Sequence, residues 1–469
     1  MKKSHIFRVL ILGAVPFLLV SCFAAKDYQE PDLVEQEARY RTDSLPSDSL
    51  TMADVSWKDI FEDPVLQNHI ERGLENNIDI RVAVQQMNAA MAYLQQGKAG
   101  YLPSLGVEGT WTHSNLSDNS QQGVLFGGGG ESDQYQLAAN LSWEADVWGK
   151  IRSQKRAYGA SYLQSVAAHK AVKTRLIASI SSTYFQLLAL DEQIEITEET
   201  IENRVNSLET TSALKEAGNV TEVAVKQTEA QIYTAKAILV DLKKQSKLLE
   251  NTLSILLGDS PHEISRTSLD RQEINTELKT GVPAQLLSNR PDVIVAENAY
   301  RNAFEMTNVA RSQFYPSITL SASGGFQSLD ASELFDANSL FANLVGGLAQ
   351  PLFNKRKIRT GYEVAQSQQE QALLRFEESL LNASKEVSDA LYSYDSATQK
   401  IDLKTKEFEA YQLATDYSEE LLNNGLANYL EVLTARENVL NSQLNLVDAK
   451  FDQLNSMIDL YRALGGGWK

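Results

Sequence analysis

The chain has 469 residues, a formal net charge of −18, one Cys and ten Pro. The acidic balance argues against a nucleic-acid surface, which needs clustered Lys and Arg. A lone Cys can form neither an internal disulfide nor a thiolate metal site, and the 43 % hydrophobic and 22 % charged content is that of a folded chain.

Met1–Ser21 reads as a signal peptide: Lys2, Lys3 and Arg8 precede an apolar stretch from Val9 to Val20, too short for a stable membrane anchor. It ends in Leu19-Val20-Ser21-Cys22, the pattern of a bacterial lipobox, so Cys22 is predicted to be acylated and to become the mature N-terminus. Loss of the leader changes the charge from −18 to −21. Residues 22–62 follow as the anchored segment. A helical stretch then runs from Asp63 to Gly97 and meets a Pro103-Ser104 turn. Leu105, Val107, Gly109 and Trp111 alternate along the chain, as do Leu137, Ala139, Leu141, Trp143, Ala145 and Val147. Alternation of this kind predicts two strands within 104–147, joined by the polar loop Ser114–Gln134. Strands of about ten residues are long enough to cross a bilayer when tilted.

No Pro occurs in residues 104–260 or 352–469, which suits long helices, since Pro in a helix interior costs about 3 kcal/mol. Ile180, Leu187, Ile194, Ile201 and Leu208 are spaced seven apart, predicting a supercoiled helix from Lys150 to Leu214. At 1.5 Å per residue such a helix is roughly 100 Å long. Gly218 breaks it, and a return helix ends at Gly258. Residues 259–290 form a linker.

The same plan then repeats over 291–465, before a tail at 466–469. A helix from Pro291 to Gln313 leads to Phe314-Tyr315-Pro316-Ser317-Ile318, the counterpart of Tyr101-Leu102-Pro103-Ser104-Leu105. Ile318, Leu320, Ala322, Gly324 and Phe326 alternate, and two strands are expected within 317–352, around the polar loop Gln327–Ser339. Leu373, Leu380, Val387, Tyr394, Ile401 and Phe408 carry the heptads, in register with the first series after a shift of 207; Gly425 and Gly465 match Gly218 and Gly258. Four strands cannot close a barrel, and an open edge in lipid leaves N–H and C=O groups without partners. The chain must therefore oligomerise, or its strands lie outside the membrane.

These features, together with Val282-Pro283-Ala284-Gln285-Leu286-Leu287-Ser288-Asn289-Arg290-Pro291-Asp292-Val293, resemble the TolC-type outer-membrane efflux proteins, and the lipobox resembles the lipoprotein branch that serves resistance–nodulation–division pumps. The resemblance implies a membrane β-barrel plus a long α-helical barrel: a homotrimer with four strands per protomer, a twelve-strand barrel, a coiled-coil periplasmic tunnel and a mixed α/β equatorial belt that includes Ser260–Thr280. It implies an outer-membrane exit duct, lipid-anchored and extending into the periplasm, with a periplasmic adaptor (membrane fusion protein) and an inner-membrane pump as partners. It also implies docking at the tips Leu214–Lys226 and Leu421–Arg436, where Ala217, Gly218, Gly425, Leu426 and Ala427 permit close approach. The family's periplasmic aperture carries acids. The first falls on Glu431; the second falls on Thr434 and its neighbouring Arg on Ala427, so only Glu431 keeps a charge. An exposed helix-surface Glu is the plainer reading of that residue.

Other residues point nowhere else. Trp111 and Trp143 suit aromatic girdles, and Trp148 suits a girdle or packing below the barrel. The Gly127–Gly130 run does not open a helix after a buried strand, so it is not a phosphate loop. His69, His113, His169 and His262 lack ligand spacing. No nucleotide loop, metal motif or nucleophile elbow occurs, so neither a cofactor nor an enzymatic activity is expected. A lipid-anchored periplasmic coiled coil without a pore, or a type I secretion duct, stays open as an alternative.

Overall fold

The computed structural model describes residues 24–29, 31, 51–117, 119–121, 124, 130–272 and 286–468. The leader, Cys22, Val282–Gln285, Gly127–Gly129 and residues 273–280 of the linker lie outside the described residues. After two short turns the chain forms α1 (Pro64–Asn76), α2 (Ile78–Ala99), β1 (Ser104–Asn115), β2 (Glu131–Glu144), α3 (Lys150–Glu216) and α4 (Glu222–Leu256). A one-turn helix at Leu286–Asn289 precedes α5 (Pro291–Ser312), β3 (Ser317–Ser328), β4 (Leu340–Ala349), α6 (Lys357–Asn423) and α7 (Tyr429–Ala463). A shift of 207 carries both bounds of α3 onto α6 and both bounds of α4 onto α7. The chain divides into two compact units, one of residues 1–31, 88–164 and 297–375, the other of 32–87, 165–296 and 376–469.

The first unit contains an antiparallel sheet in the order β1-β2-β3-β4, so β1 and β4 are its edges. The pairing places Leu141 opposite both Leu105 and Ala322, Leu137 opposite Phe326, and Phe326 opposite Leu340. One face is therefore apolar. The other carries Ser104, Thr110, Gln136, Asn140, Ser142, Ser321, Ser323 and Asn343. Leu105 is 71 % exposed and Leu348 70 %, so the apolar face lacks cover among the described residues. Trp111 faces Tyr135 across the first hairpin. Trp143 lies eight residues along β2 from Tyr135, about 26 Å at 3.3 Å per residue. Its indole donates to the Tyr101 carbonyl at 2.9 Å. On a barrel strand tilted by about 40° that length rises about 20 Å, within the apolar band of roughly 25 Å between the aromatic girdles of an outer-membrane barrel.

Both strand exits fall short of the alternation. β2 stops at Glu144, not at 147, because Val147 N–H bonds the Ala145 carbonyl in a three-residue turn. The Asp146 carboxylate then accepts from the amides of Ile151 and Arg152 at the start of α3. β4 stops at Ala349, ahead of Pro351. Polar loop edges are also shorter than expected: residues 114–115, 131–134 and 327–328 belong to strands. Trp148 stacks on Tyr315 at 4.8 Å and donates to the Pro316 carbonyl at 2.7 Å, which favours packing beside the sheet over a girdle position.

The second unit holds the main core. Ile180, Leu187 and Val387 are fully buried in it together with Phe185, Phe376, Leu253 and Leu460. The heptad residues Ile194, Ile201, Leu208, Leu380, Tyr394, Ile401 and Phe408 are half-buried, as is Leu373 in the first unit. The expected single lead-in helix is broken at Asn77. Its side-chain oxygen caps α2 by accepting from Asp79 and Ile80, and its Nδ2 donates to the Leu256 carbonyl at 2.9 Å. Arg290 does the equivalent work in the other half: it is 5 % exposed, and Nη1 donates to the Ala463 carbonyl at 3.0 Å. Leu256 and Ala463 are the last residues of α4 and α7, so each return helix has its terminal carbonyl satisfied from outside. Arg290 also pairs with Asp292 at 2.6 Å and Glu386 at 2.9 Å. Gly465, with φ +91, sits so tightly that a Cβ would meet the Asn289 carbonyl at 2.5 Å.

Truncating Arg290 strands the Ala463 carbonyl and unpairs two partly exposed acids, and hydrogen bonds to charged groups are worth about 1.5–3 kcal/mol each. Arg290→Ala should therefore lower the denaturation midpoint far more than Asn77→Ala, which removes neutral hydrogen bonds worth about 1–2 kcal/mol. Guanidinium titrations followed by circular dichroism read the difference, and equal losses would contradict this ranking.

Candidate functional site

Apart from Cys22, which lies outside the described residues, the residues singled out for function sit in two helical hairpin tips of the second unit. Each long helix ends in the same cap. Gly218 takes φ +82, its N–H bonds the Lys215 carbonyl, and Asn219 N–H bonds Leu214. Gly425 takes φ +71, its N–H bonds Leu422, and Leu426 N–H bonds Leu421. These paired bonds satisfy the last helix carbonyls, and the left-handed residue is a glycine because a side chain would be strained there. A Cβ at either glycine would meet nothing within 4 Å. The tips are thus open surfaces: Ala217 and Gly218 are exposed, Leu426 is 75 % exposed, and Ala427 is half-covered. Beside the first tip, Glu222, Val223, Lys226, Gln227 and Ala230 line a shallow groove of about 350 Å3.

The two return helices start differently. Thr221 makes no side-chain cap bond. Asn428 accepts from the Glu431 amide at 3.1 Å, and its Nδ2 donates to Glu431 Oε1 at 2.8 Å. Glu431 is therefore both an exposed acid near the second tip and half of a reciprocal N-cap. Thr434, the position expected to lack a charge, is exposed, with its hydroxyl on the Leu430 carbonyl. Ala427, half-covered, has no counter-charge to offer.

Sequence reading missed the contacts that join the hairpins behind the tips. The Tyr429 hydroxyl lies 2.9 Å from Thr211 Oγ1 on α3 and 2.6 Å from Thr228 Oγ1 on α4. Both threonines are at most 2 % exposed. Arg436 on α7 pairs with Glu419 on α6 at 2.7 Å and donates to Ser207 Oγ on α3. Gln231 Nε2 donates to the Leu433 carbonyl at 3.3 Å, and Arg204, 4 % exposed, donates to the Gln231 carbonyl at 2.6 Å. Burial pulls the Arg204 guanidinium down from its usual range, partly offset by Glu437. A buried charge held mainly by neutral groups is costly, so this contact favours only the arrangement that encloses it. The one available signal was the placement of polar Thr211 and Thr228 on helix faces that otherwise turn inward.

Neither tip supplies reactive groups. Among the described residues no cluster of His, Cys, Asp or Glu is arranged to hold a metal ion. His69 is 5 % exposed against Tyr184, with a ring nitrogen 2.8 Å from the Ser265 carbonyl, which is a packing role. No helix among the described residues is long and apolar enough to cross a membrane.

Comparison with known proteins gives a consistent picture. The family model described as outer membrane efflux protein matches residues 69–259 and 282–466. The solvent efflux pump outer membrane protein SrpC of Pseudomonas putida is 28 % identical over 473 residues, covering 100 % of this chain and 98 % of the relative. The cation efflux system protein CusC of Escherichia coli is 28 % identical, covering 98 % and 99 %. The crystal structure of the open state of the Neisseria gonorrhoeae MtrE outer membrane channel superposes with a TM-score of 0.83 at 25 % identity, over 95 % of this chain and 98 % of that one.

Tyr429→Phe removes the acceptor and donor that hold Thr211 and Thr228 while keeping the ring. Combined with Arg436→Ala it should increase hydrogen exchange at the ends of α6 and α7 by roughly tenfold or more, as expected for losing hydrogen bonds worth about 1–3 kcal/mol. Exchange in α4 near Leu253 should stay unchanged. Uniform protection in the variant would show that the lock contributes nothing.

Proposed function

The chain belongs to the outer membrane efflux protein family, and on that premise we propose that it is the passive exit duct of a tripartite pump, assembled from three copies. The observation that carries this reading is the four-stranded sheet with two unpaired edges and one apolar face. In lipid those edges must be paired, and among the described residues of one chain they are not. Three copies bring the number of strands to twelve, and the long and return helices together to twelve. A barrel wall of this composition, apolar outside and polar inside, encloses water.

The internal repeat supplies the pairing between copies. Matching the Pro103-Ser104 and Pro316-Ser317 turns relates β1 to β3 by a shift of 213, and the two hairpin registers then relate β2 to β4 by a shift of 207. Applying both shifts to the observed β2–β3 pairing sets β4 of one copy against β1 of the next. Leu141 opposite Ala322 becomes Leu348 opposite Gly109, and Ala138 opposite Gly325 becomes Val345 opposite Thr112. The apolar faces then coincide, which a slip of one residue would prevent.

Helices far longer than a bilayer must project from it, so the hairpins belong to the periplasm. Their open tips, with Ala217, Gly218, Gly425, Leu426 and Ala427, suit docking of an adaptor, and an inner-membrane pump would supply the energy. Glu431, repeated by symmetry, would form an acidic ring at the aperture that favours cations. Cys22, as the acylated N-terminus, would anchor the chain. Support for that placement comes from Ala25, whose Cβ lies 3.1 Å from the Cβ position of Gly149 at the strand–helix junction. SilC, a relative from Salmonella typhimurium that is 28 % identical over 98 % of this chain, is named a probable outer membrane lipoprotein.

Two measurements test the duct. The pair Val345→Cys and Thr112→Cys should cross-link copies into a ladder ending at the trimer, whereas Val345→Cys with Thr110→Cys should not; the reverse result would refute the register, and monomers in both would refute the barrel. In planar bilayers, Glu431→Gln keeps the cap, since Gln serves at this position, and should reduce cation-over-anion selectivity. An unchanged reversal potential would remove Glu431 from the aperture.

A further inference from the structure

A cavity of about 570 Å3 in the first unit lies between the N-terminal segment and helices α2, α3 and α5. Three cations line it: Lys155, Arg156 and Arg301. Lys155 Nζ lies 5.9 Å over the Tyr101 ring, and the Arg301 guanidinium 5.0 Å over the Tyr28 ring. Arg156 Nη1 is 3.5 Å from Asp27 and 3.7 Å from Glu305. With Asp27 and Glu305 also in the lining, the three cations still leave it net positive. Asp27 is solvated, with a side chain 93 % exposed. Glu305 is only 3 % exposed, and burial pushes its carboxyl up towards the neutral form against the opposing pull of Asn308 and Arg156. The remaining wall is amphipathic, formed by Leu94, Gly159, Ala160, Leu163 and the Tyr28 and Tyr162 rings.

The position of these cations matters as much as their number. Lys155 is five residues into α3, about 8 Å along the helix from its start beside the sheet. The polar layer on each side of the hydrocarbon is about 5–8 Å thick. Cations that flank a membrane-spanning element at this depth meet lipid headgroups. The chain as a whole carries −18, yet residues 350–375, which follow β4, hold five cations and two acids, so positive charge is gathered next to the strands.

We propose that this cavity binds the phosphate of an anionic phospholipid from the periplasmic leaflet. Lys155, Arg156 and Arg301 take the phosphate oxygens, while Leu94, Leu163 and Tyr162 cover the glycerol and the first methylenes. The inference rests on the membrane placement of the strands proposed above.

Full-length protein in nanodiscs containing both phosphatidylglycerol and phosphatidylcholine, released into detergent and weighed by native mass spectrometry, tests it. The wild type should retain phosphatidylglycerol preferentially. Lys155→Gln with Arg301→Gln should lower that retention about tenfold or more. Gly159→Leu should lower it with all charges kept, because the cavity is open there and the nearest atom to an added Cβ is Leu94 Cδ1 at 4.0 Å. Trimer recovery and conductance should match the wild type in both variants, which separates failure of the lipid site from failure of the duct. Retention of phosphatidylcholine to the same extent, unchanged retention in both variants, or displacement by millimolar inorganic phosphate (a soluble ligand) would each overturn the proposal. So would a Gly159→Cys disulfide between copies, since a second copy would then fill the site.

Discussion

Everything else in the molecule follows from a row of unpaired peptide groups. β1 and β4 each present one hydrogen-bonding edge, and the face they border is apolar. In water such edges are a liability; in hydrocarbon they are untenable unless they find partners. Both problems have one solution here, because the two edges belong to strands related by the internal repeat. The pairing already made between β2 and β3 is the template for the pairing still to be made. Oligomerisation is thus a requirement of the strands, and the helices inherit its symmetry.

The repeat is strict where geometry is demanding and relaxed where chemistry differs. Both long helices and both return helices have bounds that coincide under one shift. Both return helices end in a glycine cap whose carbonyl partner comes from a different residue type, Asn77 in one half and Arg290 in the other. At the tips the halves diverge: Asn428 and Glu431 cap each other, while Thr221 makes no cap bond. Gly149, with φ +76, precedes α3, whereas Lys355 and Arg356 hold φ 54 and 68 ahead of α6. Two non-glycine residues in that region carry strain of about 1–2 kcal/mol each. Charge next to the bilayer is therefore kept at a conformational cost that the first half avoids with glycine.

Much of this was legible in the sequence. Heptads and proline-free runs marked both long helices, and the bounds read for the first fall within two residues, because a seven-residue period sustained over five or six turns of the pattern has few other meanings. Gly218 and Gly425 announced the tips, since helix ends favour a residue free to adopt positive φ. Strand exits were less visible. Ala145 and Val147 continue the alternation, but a three-residue turn and the Asp146 cap decide the end of β2. The break at Asn77 carries neither Pro nor Gly; its one local signal was the asparagine itself, a preferred N-cap. Tyr429, Thr211 and Arg436 were missed for a different reason: their partners lie about 200 residues away, and an interaction at that separation leaves no local pattern.

The halves differ in length at the outer turns of their sheets, where 15 residues separate β1 from β2 and 11 separate β3 from β4. An inserted residue there leaves every helix face where it was. The same insertion within α3 would rotate all later side chains by about 100° around the axis and turn the buried stripe outward. Sequence drift is therefore channelled to one rim of the molecule. That rim is the part an antibody or a phage would meet on an intact cell, so this chain can change its outward identity without retuning the machinery beneath it.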